Sequence, residues 1–345
     1  MTPEITPRGP VSEALLAALA TEPDPESPAM RRVVEEADRA LAAAGDLLTD
    51  DDLQLTLYVI HGLSYGDTVD ADDDWEWDPQ VVLVRRRIER AVEAQLRERI
   101  PLDDLPQPDA ESVAAYLFEL TAEDGGPSLS RYIAKKATDE QAHEFVIQRS
   151  IYTRKEADPH SWAIPRLTGR AKAALVEVQS DEYGGGRPQR IHAEIFGRTM
   201  RGLGLDDAYG AYVDAVPAIT LASFTTMSMF GLNRRLRGAI AGHLAAFEMT
   251  SSIPNRFYGN GFRRLGYDDA VTDYYDEHVE ADAVHEQIAG RDLAGGLAED
   301  HPELLPDIIL GAKACLYVDG LAAAHMLESW EAGRSSLRER ERVGA

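Results

Sequence analysis

A chain of 345 residues with 44% hydrophobic content is long enough to bury a large core, and its composition is not that of a disordered chain. Its 60 acidic side chains against 35 basic ones give a net charge of -25, a surface that repels nucleic-acid phosphates and anionic lipid. The single cysteine, Cys315, excludes an internal disulfide or a thiolate cluster within one chain, so any bound metal must take histidine and carboxylate ligands.

The opening "MTPEITPRGPVSEALLAALA" holds an apolar run too short for a signal peptide, and no stretch reaches membrane-spanning length, so a cytoplasmic location is expected. Ala, Leu, Glu and Arg recur at helical spacing, whereas β-branched runs bounded by turn residues hardly occur, so the chain reads as all-α. Helices are predicted over 11–21, 29–48, 51–63 and 79–99, with an acidic, tryptophan-bearing loop at 70–79. The proline-rich "PLDDLPQPDAES" at 101–112 is a linker. It makes residues 1–105 an N-terminal helical extension packed on a domain over 106–332, with 333–345 a loose tail. Within that domain helices are predicted over 110–121, 127–136, 138–155, 167–181, 188–203, 206–213, 215–251, 258–265, 268–289 and 303–331.

Several of these helices carry ionisable residues on their apolar faces. Over 138–155, Glu144 shares a face with Ile147, Gln148 and Ile151, and Glu140 lies one turn earlier on nearly the same face. In "SDEYGGGRPQRIHAEIFGRTM", His192 falls with Ile195, Phe196, Thr199 and Leu203, while Arg190, Glu194, Arg198 and Arg201 take the far side. Glu182 ends the preceding helix, where a charged residue serves equally as a solvated end or as an inward ligand. Glu248 lies with Ala241, Leu244 and Ala245, whereas His243 sits roughly 140° away and is expected at the surface.

The strongest pattern is on 268–289. His278, Asp282 and His285, spaced H-x3-D-x2-H, lie within about 40° of one another on a helix, on the stripe that holds Val271, Tyr274 and Ala281. Two imidazoles and a carboxylate facing a core cost several kcal/mol, roughly, unless something compensates, and a divalent metal suits that donor set. The inward residues Glu144, Glu182, His192, Glu248, His278, Asp282 and His285 exceed the needs of one ion, and hard oxygens mixed with imidazoles fit two carboxylate-bridged iron or manganese ions. Tyr183, Tyr275, Arg187 and Arg256 are close to these in sequence and are candidates for a pocket wall or for the surface.

From about Leu117 to Leu327 the pattern resembles the heme-oxygenase-like diiron oxidases, or iron-containing redox enzymes. That family's ligands are a Glu on the first core helix, a His on the second, a Glu on the third and H-x3-D-x2-H on the last, slots matched by Glu144, His192, Glu248 and the trio His278, Asp282 and His285. The resemblance implies a bundle of about seven core helices, two iron ions, O2 as cosubstrate and an external reductant or electron donor. Members that decarboxylate fatty acids carry a Glu three residues before the second-helix His, where this chain has Gln189. Members that oxidise amine nitrogen carry a carboxylate about ten residues before that His, the position of Glu182. By that likeness Glu182 is an added ligand with a catalytic role. The expected activity is then N-oxygenation of a small amine or amino acid in a biosynthetic pathway.

The rival activity is oxidation of C–C or C–H bonds, and the rival class is a helical metal-binding or interaction protein without catalysis. A ferritin-like centre would need two E-x-x-H pairs, and only Glu140 with His143 fits. Cys315, in an apolar helical run, reads as a small core residue rather than a nucleophile. A homodimer is the commonest assembly for such a chain.

Overall fold

The computed structural model describes residues 5–24, 27–66, 68–122 and 128–338, leaving out the side chains of 280–283. Among the described residues there is no strand. The helices are α1 (Pro10–Leu19), α2 (Pro28–Ala43), α3 (Asp51–Leu63), α4 (Pro79–Arg99), α5 (Ala110–Ala122), α6 (Leu129–Lys135), α7 (Asp139–Thr153) and α8 (Asp158–Ser161). They continue with α9 (Gly169–Glu182), α10 (His192–Gly202), α11 (Ala218–Leu232), α12 (Arg237–Met249), α13 (Ser252–Leu265), α14 (Asp269–Gln287), α15 (Gly296–Asp300) and α16 (Leu305–Glu331).

Local chemistry sets the helix ends. Thr138 and Gln141 form a reciprocal capping box at the start of α7, and the Asp268 carboxylate accepts from the Ala270 amide to start α14. The single helix expected over 215–251 is two. At Asn233 the backbone is extended and the carboxamide donates to Glu89 and to the Met229 carbonyl, which ends α11 before α12 begins. The expected helix at 206–213 is a run of turns with Gly204 and Gly210 at positive φ. Beyond α14 the helix widens into a π-helical segment, Ile288–Gly295.

Among the described residues two buried apolar clusters form: the larger runs from Ile5 to Ala322, and the second gathers Phe145, Phe196, Tyr258, Tyr274, Tyr275 and Trp330. In the larger, α3 lies against α11, tied by the Thr225 hydroxyl donating to Gln54 Oε1 at 2.6 Å. Helices α12 and α16 cross closely, because a Cβ at Gly242 would collide with the Ile308 carbonyl and one at Gly311 with that of Ala239. The chain after α16 is tied down through its described part, with the Arg338 amide donating to the Ala215 carbonyl at 2.8 Å. Cys315 is buried within α16.

Because α12 is packed on several sides, His243 is buried rather than at the surface, its Nδ1 3.2 Å from Nε2 of the equally buried His160. Burial lowers His243 from 6.5 to about 4 and lowers His160 too. The unfolded chain therefore binds protons that the folded chain refuses, so this stability is whole above the unfolded value of 6.5 and is lost as pH falls towards 4. His243 alone should remove about 2 kcal/mol between pH 7.5 and 5.0. Denaturant unfolding at the two pH values should show a smaller loss for His243→Asn than for the native chain; an equal loss would refute this origin.

Candidate metal centre

The turn between α9 and α10 joins two of the expected residues. Glu182 is the last residue of α9 and His192 the first of α10. Gly184, Gly185 and Gly186 take φ of 71°, 56° and 79°, a region that favours glycine, and a Cβ on Gly184 would meet the backbone of Arg190 and Ile191. This tight reversal brings Glu182 Oε2 to 2.9 Å from His192 Nδ1. Glu182 is thus no solvated helix end. Helix α14, packed on both α10 and α12, supplies His278 and His285, and α12 supplies Glu248.

A further carboxylate comes from Glu156, in the turn between α7 and α8. Two donor groups result: Glu156, Glu182, His192 and His278, and Glu182, Glu248 and His285, with the donor atoms of each group within 4.8 Å of one another. All six side chains are between 1% and 5% exposed, so solvation cannot compensate their charges. Glu182 belongs to both groups. Its Oε1 lies 4.0 Å from His285 Nδ1, and Glu248 Oε2 lies 3.5 Å from that same nitrogen.

Hydrogen bonds outside the cluster aim the donors inward. His278 Nδ1–H donates to the Tyr274 carbonyl at 2.7 Å, which turns Nε2 towards Glu156 Oε1, 3.6 Å away. His285 Nε2–H donates to Asp181 at 3.1 Å, leaving Nδ1 as the inward atom. The Tyr274 hydroxyl donates to both oxygens of Glu156, at 3.0 and 2.8 Å. These are the supports that fix tautomer and orientation around a bound metal. The buried atoms Glu182 Oε2, His192 Nδ1 and His285 Nδ1 have no hydrogen-bond partner outside the cluster and meet only its own charges. Converging, unsatisfied lone pairs on oxygen and imidazole nitrogen fit a divalent ion such as iron.

The charges are correspondingly perturbed. Burial opposes ionisation of every group, yet the neighbouring imidazoles hold Glu182 below the ordinary carboxylate range. Burial, with Glu182 beside it, raises Glu248. Against its own desolvation His285 is pushed up to about 9 by Glu248, Asp181 and Glu182, and His192 is raised by Glu182.

Of the residues expected from the sequence, the structure brings together Glu182, His192, Glu248, His278 and His285. Asp282 lies outside the described side chains. Glu144 is not brought to the cluster. Its carboxylate accepts from Trp330 Nε1 at 2.7 Å, the Ser335 hydroxyl at 2.6 Å, and the Ser336 amide and hydroxyl at 2.8 and 2.7 Å. Glu140 is exposed at the start of α7. Glu156 takes the place expected of Glu144, and the signal for it is faint: an acidic residue just past the end of α7, before "DPH". Tyr275 lines a cavity beside the cluster, the Tyr183 hydroxyl is bonded to Asp158 and Ser161, and Arg187 and Arg256 are exposed.

That cavity, of about 30 Å³, is walled by aromatic rings including Phe145, Phe196, Tyr258 and Tyr274 and reaches Glu156. It shares Tyr152, Glu156, Phe247 and Ser251 with a smaller one of about 10 Å³ that touches Glu182, Glu248 and His278.

Fold and donor set together define a helical protein with a buried carboxylate and histidine centre. A family model described as iron-containing redox enzyme matches residues 143–320, and the chain belongs to that heme-oxygenase-like family of oxidoreductases. It is similar to a nitrosourea synthase of Streptomyces achromogenes subsp. streptozoticus, with 25% identity over 208 residues. The match covers 59% of this chain and 44% of the relative, so the chain spans less than half of that protein's length. No helix among the described residues is long and apolar enough to cross a membrane.

Proposed function

We propose that the protein is an O2-activating non-heme diiron oxygenase that oxidises the nitrogen of a small amine or amino acid, drawing electrons from an external donor. The observation that carries the two-metal part is the position of Glu182, whose two oxygens face imidazoles of two different donor groups. A carboxylate so placed is suited to bridge. Glu156, His192 and His278 would hold one ion, Glu248 and His285 the other, with Asp282 a further candidate from α14. Two iron ions bound there would supply the electrons and oxidising power for oxygen insertion.

The chain's own residues do the remaining work. Tyr274 donates to Glu156, and burial beside that carboxylate raises the phenol well above its ordinary value, so it stays a proton donor throughout the neutral range. Burial likewise keeps Tyr152, shared by both cavities, protonated. The aromatic walls exclude water from the space where a substrate amine would lie. The nitrogen preference draws support from the place of Glu182 ahead of His192 and from the similarity to a nitrosourea synthase, a name that denotes a product bearing oxidised nitrogen.

Reaction of the iron-loaded protein and a reductant with isotopically labelled O2 and a panel of amino acids should place the label on nitrogen, read by mass spectrometry. Label on carbon, or carbon dioxide release in its place, would favour C–H or C–C oxidation and overturn the nitrogen reading.

A further inference from the structure

The cavity beside the centre contains a cation that the cluster does not use. Arg149 lies on α7, one turn from Phe145, with its guanidinium carbon 6.0 Å from the centre of that ring, and it lines the same cavity as Glu156. No carboxylate among the described residues comes within ion-pair distance of it. Arg149 is half-buried, and although partial desolvation works against its charge, Tyr258, Asp319, Tyr274 and Glu156 raise it above the ordinary arginine value, so it remains a cation. Around it the cavity offers a second unsatisfied group, the buried Tyr275 hydroxyl, which makes no hydrogen bond. Ser251 accepts from Asn255 at 2.8 Å, and its own hydroxyl proton can still be donated.

A guanidinium presents a planar fork of N–H donors that matches a carboxylate, and this half-buried one faces the cavity with no ion-pair partner of its own. An uncharged substrate would leave it in that state. A carboxylate would satisfy both the guanidinium and the phenol while its carrier's remaining chain extends along the aromatic wall towards Glu156. We infer that Arg149, with Tyr275, binds a carboxylate of the substrate, so that the compound oxidised is an amino acid rather than a simple amine. This rests on the cavity being the substrate's, as in the reading above.

The test is binding to the iron(II)-loaded protein under anaerobic conditions, with iron content measured on the same samples. The common amino acids are screened by thermal shift, and each binder is compared with its decarboxylated amine, as L-lysine with cadaverine. At least one amino acid should bind roughly thirtyfold or more tighter than its amine. Arg149→Gln should abolish the difference and Arg149→Lys should keep part of it, each with iron content unchanged. Equal binding of acid and amine to the native protein, or no acid whose binding depends on Arg149, would overturn the assignment. The native comparison stands even where Arg149→Gln fails to fold. Loss of iron, by contrast, would count against the diiron reading and is scored separately.

Discussion

Glu182→Gln should reduce iron uptake from two ions per chain to at most one, and should lower turnover by more than about a hundredfold, since even outer supports of a metal site are worth tenfold to a hundredfold. Glutamine keeps the shape but presents only one oxygen and no charge, so a group that faces His192 with one oxygen and His285 with the other can no longer serve both sides. Metal analysis after anaerobic loading reads the outcome. Two ions retained in the variant would show that Glu182 does not join the two donor groups, and would return it to the role of a buried counter-charge for the imidazoles.

The second large effect separates Glu156 from Glu144. Glu156→Gln should cost the ion held with His192 and His278 while sparing the group of Glu248 and His285. Glu144→Gln should leave both ions in place. It should instead weaken the anchoring of Trp330, Ser335 and Ser336, at about 1–3 kcal/mol and a few degrees of melting temperature. Iron content and calorimetry on the two variants distinguish them. Iron loss in Glu144→Gln with none in Glu156→Gln would invert the assignment.

This contrast also marks what periodicity can and cannot reach. Five of the six clustered residues lie within helices or at helix ends where an apolar face is visible in the sequence, so His192, Glu248, His278 and His285 point inward for a reason that spacing alone reveals. Glu182, at a helix end, has no side fixed by spacing, and the glycine turn that folds α10 back against the end of α9 turns it inward. Glu156 sits in a turn, where no wheel assigns a face, and only the approach of α14 brings Tyr274 and His278 to it.

Glu144 does lie on a packed face, as its wheel predicts, but a wheel gives a direction and not a partner; the partners are the end of α16 and the turn after it. His243 shows the opposite failure. A one-sided wheel sends it to solvent because Glu248 faces inward, yet α12 is buried on both sides. The break at Asn233 is only faintly marked in the sequence, by Gly231 and the asparagine itself, and its anchor is a contact with Glu89, distant in sequence. The all-α class was plain from composition, which needs no such contacts.

The most direct test of the two-ion centre is anaerobic titration of the native protein with iron(II), followed by rapid mixing with O2. Uptake of two ions per chain and a transient visible absorption that decays faster with amino acids than with fatty acids are the predicted results. No iron uptake and no absorption change would contradict the diiron reading.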